Sequence, residues 1–535
     1  MTVRSTGRTD RLILWSLTAV LLAVAVFPLL SLYAGAVRRL LTEADFTVPA
    51  INTGLFFRSL LLNGESAALC SLLGVLTALF VWRLPPASGR RVFYLLLLCA
   101  LIPPFIHVHS WIRAVDLGNN ILLQTTGIVR NFTGSAAVVW TTALSYLPYT
   151  ATLFYLGLRS IPEEVLELVR LEGYPGRMFF HIILPHATHH LLISFLFVFL
   201  INVNDYAIAS VFGVSVYALE LFALFSAGGD IHAIALSALP LLLLAAGLIL
   251  LIGFLAKDRG LRENFTRSIH PFRQDPLAKA AAGAGGLALA FFVGVPVVAM
   301  VAEGLRTEGL PAIVRDSARQ IGYSYTISIL AGLLAVLPAT AYAYIRRRVG
   351  RSRTVTFLLA APFLIPSAIL GLSLIDVWNR GALSAVYGSP AMPAIGLAIR
   401  FGIVAVLYMS FRFEQIDGDL LDAARMECGP ARGFARVVLP MIRRDIAACL
   451  LMIFALSMGE YGIVLLITPP GYQMVTIKIY NYIHYGSSEI VFTLNLILLL
   501  GVLAAGVFLL WTVQRREDGT ADALRAERAG RRGRT

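Results

Sequence analysis

Long apolar runs separated by short polar ones dominate the chain. A helix needs about 20 predominantly apolar residues to cross the hydrocarbon of a bilayer. Twelve runs reach that length, at roughly 12–35, 57–82, 92–112, 136–158, 188–212, 231–256, 280–302, 321–345, 355–376, 392–410, 445–467 and 490–512. In lipid each backbone polar group must be satisfied internally, so such runs are helices unless a barrel closes. The alternating segments of an outer-membrane barrel are absent, and the pattern predicts an all-α membrane protein with about 12 transmembrane helices. The first run is too long for a signal-peptide core and has no small-residue cleavage site, so it counts as a span.

A polar, basic stretch at 257–279 separates six spans from six. An even number in each part gives both parts the same topology, as in parallel repeats. The expected organisation is a first half over 1–256, a linker over 257–279 and a second half over 280–512. A basic tail over 513–535 has few apolar residues and is expected to lack structure.

Composition agrees with lipid as the main solvent: 58% of the 535 residues are hydrophobic and 14% charged, with a mean hydropathy of +0.77. The net charge of +13 would suggest nucleic acid in a soluble protein. Here the charges sit in short clusters between spans, where the anionic membrane surface is the natural partner. Lys and Arg set the orientation. With the N-terminus inside, the seven inside segments hold 33 of the 44 basic residues, so both termini are expected on the cytoplasmic side. Three of the four cysteines (Cys70, Cys99, Cys449) lie in apolar runs and Cys428 lies in a loop; none forms a CxxC pair, which argues against a zinc site or disulfide framework.

Two of those inside loops repeat. Residues 161–185 read IPEEVLELVRLEGYPGRMFFHIILP and residues 416–440 read IDGDLLDAARMECGPARGFARVVLP, aligned without a gap at an offset of 255. Ile161/Ile416, Leu166/Leu421, Arg170/Arg425, Glu172/Glu427, Pro175/Pro430 and Leu184-Pro185/Leu439-Pro440 are identical pairs. The match runs into the next span, where Asn204-Asp205-Tyr206 falls opposite Gly459-Glu460-Tyr461. Each loop predicts two short helices on the cytoplasmic face. Acidic residues at the start of the first suit its dipole, and Pro175 or Pro430 opens the second.

At these residues the chain resembles the binding-protein-dependent permeases of ATP-binding-cassette importers. Their signature is a cytoplasmic loop with Glu-Ala-Ala, a Gly six residues after the Glu, then Ile-x-Leu-Pro. The second loop matches as Asp422-Ala423-Ala424 and Leu439-Pro440, with Cys428-Gly429 at the turn; the first matches as Glu167-Leu168-Val169, Gly173 and Leu184-Pro185. Both are one residue shorter than the family's spacing, and the first lacks the two alanines. The resemblance covers about spans 2–6 and 8–12. It implies a type I importer fold and coupling helices that dock in the ATPase. Glu167, Arg170, Glu172 and Gly173 would meet one ATPase copy, and Asp422, Ala423, Ala424, Arg425, Glu427, Cys428 and Gly429 the other. It also implies an extracytoplasmic solute-binding protein. Fused pairs of this size resemble ferric-iron permeases first and thiamine permeases second.

The chain has no GxxxxGK[ST] motif, and none of its three lysines follows a glycine. It cannot build a P-loop, so ATP and Mg are expected on a separate subunit. No catalytic constellation is present, and the expectation is a transporter subunit that is no enzyme. Ionisable residues inside spans are candidates for the path: Asp205, Tyr206, Glu460 and Tyr461 are pseudo-equivalent, with an inter-helix hydrogen bond as the rival reading. Glu65 has no acidic counterpart and is read as structural. His107 and His109 have a metal-ligand alternative, though no metal is expected, and His186, His189 and His190 fit interfacial packing. A 6+6 secondary transporter is the competing function, supported by basic loops after spans 2 and 8, but it gives no reason for the matched loops.

Overall fold

The computed structural model describes residues 8–126, 132–162, 164, 165, 167, 181, 184–255, 276–350, 353–485 and 488–532. Every element among them is helical. The main helices of the first half are α1 (Arg8–Ala25), α2 (Phe27–Thr42), α3 (Thr53–Arg83), α4 (Pro86–Cys99), α5 (Pro104–Thr126), α6 (Gly134–Arg159), α7 (Leu184–Asn204), α8 (Ala207–Val211), α9 (Tyr217–Ser226), α10 (Ile231–Ser237) and α11 (Leu239–Leu255). Those of the second are α12 (Pro276–Arg306), α13 (Leu310–Val349), α14 (Arg353–Leu364), α15 (Ser367–Trp378), α16 (Met392–Glu414), α17 (Gly418–Cys428), α18 (Leu439–Gly459), α19 (Gly462–Ile467), α20 (Val475–Tyr485) and α21 (Ser488–Arg532).

Six of these helices are long and apolar enough to cross a membrane, and four bent pairs bring the number to ten among the described residues. The other two predicted spans fall on α6 and on α18 with α19. α6 is long enough, at 26 residues, but rich in Ser, Thr and Tyr. Most of its length is buried, so its surroundings are protein rather than lipid. α18 carries Arg443, Arg444 and Asp445 in its first two turns. The large side chains left bare, such as Leu61, Leu72, Leu243, Phe254 and Val298, are apolar, as a lipid-facing surface requires.

The bends differ from the expectation of single crossings at 92–112 and 355–376. α4 meets α5 at 98° and α14 meets α15 at 102°. Prolines explain both breaks. Leu101-Ile102-Pro103 and Leu364-Ile365-Pro366 repeat the same three residues, and a residue before proline is pushed out of the α region. α21 also departs from the expected unstructured tail by running on to Arg532. Ala, Leu, Glu and Arg are good helix formers, and extending a span avoids the cost of nucleation. The linker falls almost wholly outside the described residues.

The first helices of the halves are exchanged. α1 packs on α13 and α14 and α2 on α15, while α12 packs on α3 and α5. The α12–α3 contact is close because Gly285 has no side chain: a Cβ there would lie 1.9 Å from the Leu76 carbonyl oxygen. Small residues allow this approach between membrane helices. Each half also repeats one tie. The Ser59 hydroxyl accepts from Tyr217 N at 2.8 Å, and the Ser324 hydroxyl accepts from Val475 N at 2.7 Å.

Candidate functional site

Four helix breaks meet at the centre of the bundle: α4/α5, α7/α8, α14/α15 and α18/α19. They line one cavity of about 180 Å³. Irregular backbone is tolerated at membrane depth where it lines such a cavity, and in transporters broken helices mark the solute site. The cavity collects Asp205 and Tyr206 from the first half with Glu460 and Tyr461 from the second. The structure thus brings together all four residues expected on the path.

Each acid caps the short helix that follows it. Asp205 Oδ1 accepts from Ala207 N at 2.8 Å, and Glu460 Oε1 accepts from Ile463 N at 3.2 Å. Their other surroundings differ. Arg400 of α16 lies 2.9 Å from Glu460 Oε2 through Nε and donates from Nη1 to Ile365 O at 3.4 Å. Asp205 faces Tyr146 instead. Asn204 donates from Nδ2 to Leu200 O at 2.9 Å and across the halves to Leu364 O at 2.8 Å. Aromatic rings continue the junction: Tyr206 stacks on Phe222, meets Tyr461 edge-on at 6.1 Å, and Tyr461 stacks on Tyr480 at 4.2 Å. The sequence reasoning missed Arg400, although it is the one basic residue within the predicted span 392–410.

The second repeated loop forms the first expected helix, α17, but the second, expected to stop before Pro440, instead runs from Pro430 without a break into α18. Asp417 caps α17 by accepting from Asp419 N at 3.0 Å. α17 ends at Gly429, whose φ of +77° requires a residue without a Cβ, so the turn falls on Gly429 and Cys428 closes the helix. Gly433 packs against the Ala424 carbonyl, where a Cβ would stand 2.5 Å away. Leu421 and Ala424 therefore face inward, while Leu420, Met426 and Glu427 are exposed. Asp422 and Arg425 are held by the chain's own charges. Arg348 reaches Asp422 at 3.3 Å and Asp10 of α1 at 3.2 Å, and Arg425 reaches Asp10 at 2.9 Å. Asp10 was not singled out from the sequence, because nothing local links it to a loop over 400 residues away. In the first loop Glu167 is exposed; Arg170, Glu172 and Gly173 lie outside the described residues.

His189 and His190 meet edge-on at 6.1 Å. His107 is fully buried and stacks on Phe292 at 4.7 Å. His109 meets Phe492 edge-on at 6.2 Å, and His190 packs over Gly157. No group of three His, Cys, Asp or Glu among the described residues could hold a metal ion. Glu65 is exposed on α3. Beyond the cavity, at the opposite end from α17, a second charge cluster spans the halves. Arg39 of α2 pairs with Asp230, and His232 Nε2 lies 3.4 Å from the buried Asp376 of α15. Burial pushes the Asp230 carboxyl up, but Arg39 and the backbone N–H groups of Ala233 and His232 outweigh it and hold it below the usual carboxylate range.

Residues 71–258 match the family model described as "Binding-protein-dependent transport system inner membrane component". The chain is similar to the putrescine transport system permease protein PotI of Escherichia coli K12, at 30% identity over 228 residues, covering 40% of this chain and 79% of PotI. The chain belongs to the binding-protein-dependent permease family. It is thus an all-α, multi-pass inner-membrane permease component of an ABC transporter. It is also similar to the molybdate/tungstate transport system permease protein WtpB of Pyrococcus furiosus, at 27% identity over 258 residues, covering 45% of this chain and 98% of WtpB. The spermidine/putrescine permease protein PotC of E. coli K12 is 25% identical over 180 residues, covering 33% of this chain and 67% of PotC.

Proposed function

We propose that this permease supplies both halves of the translocation path of an ATP-driven importer, with the cavity at Asp205, Tyr206, Glu460 and Tyr461 as the point where solute crosses. The observation that carries this reading is the convergence of four broken helices, two from each half, on one cavity. The coverage figures support the two-half division, since nearly all of WtpB corresponds to 45% of this chain.

In this reading the loops at 161–185 and 416–440 face the cytoplasm, and each receives one copy of a separate ATPase that binds ATP and Mg. Glu167 and Glu427 are exposed for that contact. Asp422 and Arg425 fix the angle of α17 through Arg348 and Asp10. ATP drawing the loops together would bias two packings of the halves, opening the cavity towards a solute-binding protein on the outer face. Both termini lie in the cytoplasm. The two-half build suggests ferric iron or another small solute. The relatives' names range from putrescine to molybdate and tungstate, which differ in the sign of their charge.

Purification from native membranes in mild detergent, with the companions identified by mass spectrometry, tests the proposal. A P-loop ATPase at two copies per chain is expected. A chain that purifies alone and transports on an ion gradient would overturn it.

A further inference from the structure

The central cavity has a sign. Two carboxylates, Asp205 and Glu460, and one guanidinium, Arg400, line it. Arg400 is bridged to Glu460 at 2.9 Å and acts on Asp205 only through space, while Asp205 accepts from the backbone N–H of Ala207 and faces the neutral Tyr146. Helix dipoles do not alter this balance. At each break one helix ends and another begins, so the partial charges of a C-terminus and an N-terminus oppose each other.

The uncommitted hydrogen-bonding groups of the cavity include Arg400 Nε and the Tyr206 and Tyr461 hydroxyls, and one buried amide acceptor. Asn204 is more than nine-tenths buried, and both its amide N–H bonds are used. Its Oδ1, an acceptor, has no protein partner. A carboxylate at membrane depth is costly unless a counter-charge arrives, and here the chain supplies one cation for two acids.

We infer that the solute carried through this cavity is a small organic cation, an ammonium or guanidinium group whose N–H donors meet Asp205 and Asn204 Oδ1. A bare metal ion fits less well, because no group of three His, Cys, Asp or Glu among the described residues could ligate it. An oxyanion would meet excess negative charge. The inference rests on the proposed path through this cavity, and its test separates the two.

Ile201 and Leu456 are pseudo-equivalent, partly exposed and lining the cavity. Each is replaced singly by Cys in full-length protein without its native cysteines, in membrane vesicles with its partners. Labelling rates are measured with a trimethylammonium-ethyl and a sulfonato-ethyl methanethiosulfonate. The cationic reagent should react at least tenfold faster at both positions, and Asp205→Asn should bring the ratio close to one. Equal rates, or a faster anionic reagent, would overturn the cationic solute while leaving the path intact. No labelling by either reagent, with the unfolded protein labelled by both, would overturn the path and the inference with it.

Discussion

Asp10 is the most revealing residue to change, because its effect should appear in a loop more than 400 residues away. Its carboxylate is shared by Arg425 at 2.9 and 3.1 Å and by Arg348 at 3.2 Å. The Asp10 side chain is 12% exposed, with Arg348 at 19% and Arg425 at 26%, so solvent screens the cluster only in part. Hydrogen bonds to charged groups contribute about 1.5–3 kcal/mol each. Asp10→Asn keeps the shape and one acceptor but removes the charge that Arg348 and Arg425 share, leaving Arg348 its pair with Asp422. Allowing for the neutral bond that survives, α17 should lose about 2 kcal/mol of local stability. At 1.4 kcal/mol per factor of ten, amide exchange across 418–428 should rise by roughly 30-fold. Hydrogen-exchange mass spectrometry of the full chain reads this directly, with α16 as an internal reference. Adding Arg425→Gln to Asp10→Asn should change little more, since contacting residues are not additive. Exchange in 418–428 that stays within threefold of wild type would refute the bracing role of Asp10.

Two further changes test how the bundle is held. Gly285→Ala drives a Cβ into the Leu76 carbonyl and should cost about 1–3 kcal/mol, whereas Gly294→Ala meets open space and should be neutral or better; thermal unfolding in detergent compares them. Asp445 pairs with Arg412 at 2.7 Å with both side chains largely buried, so Asp445→Asn, which removes the guanidinium's counter-charge and leaves it Gln415 at 3.2 Å, should destabilise by about 3 kcal/mol. Arg412→Met with Asp445→Leu should recover most of that loss, and equal damage in both variants would show that the pair is not the cause.

The spans were legible because lipid imposes a crude rule, a length of apolar chain, that needs no knowledge of neighbours. All twelve predicted runs fall on helices for that reason, including α6, whose Ser, Thr and Tyr residues reflect burial in protein. The breaks were less visible. Leu101-Ile102-Pro103 and Leu364-Ile365-Pro366 sit inside apolar runs, where hydropathy counts them as ordinary span residues; their proline chemistry and their repetition were the available signal. Asp205 and Glu460 could be paired from the gapless repeat, but Arg400 aligns with Ser145 at the same offset and so carried no internal echo. Asp10 had no local signal at all, since its partners are set by the exchange of helices between the halves.

That exchange has a consequence for how the chain is made. α1 docks on α13 and α14, and α13 ends at Val349. A ribosome adding about 5–20 residues each second needs roughly 15–60 s to travel from α1 to the end of α13. Throughout that interval the α1 face destined for the second half has only lipid, or a chaperone, to cover it. α12 has no such wait, because α3 and α5 are already inserted when it emerges. The N-terminal helix is therefore an early-inserted, late-docking piece, and Asp10, close to its start, closes its bridge only after Arg348 and Arg425 have been synthesised.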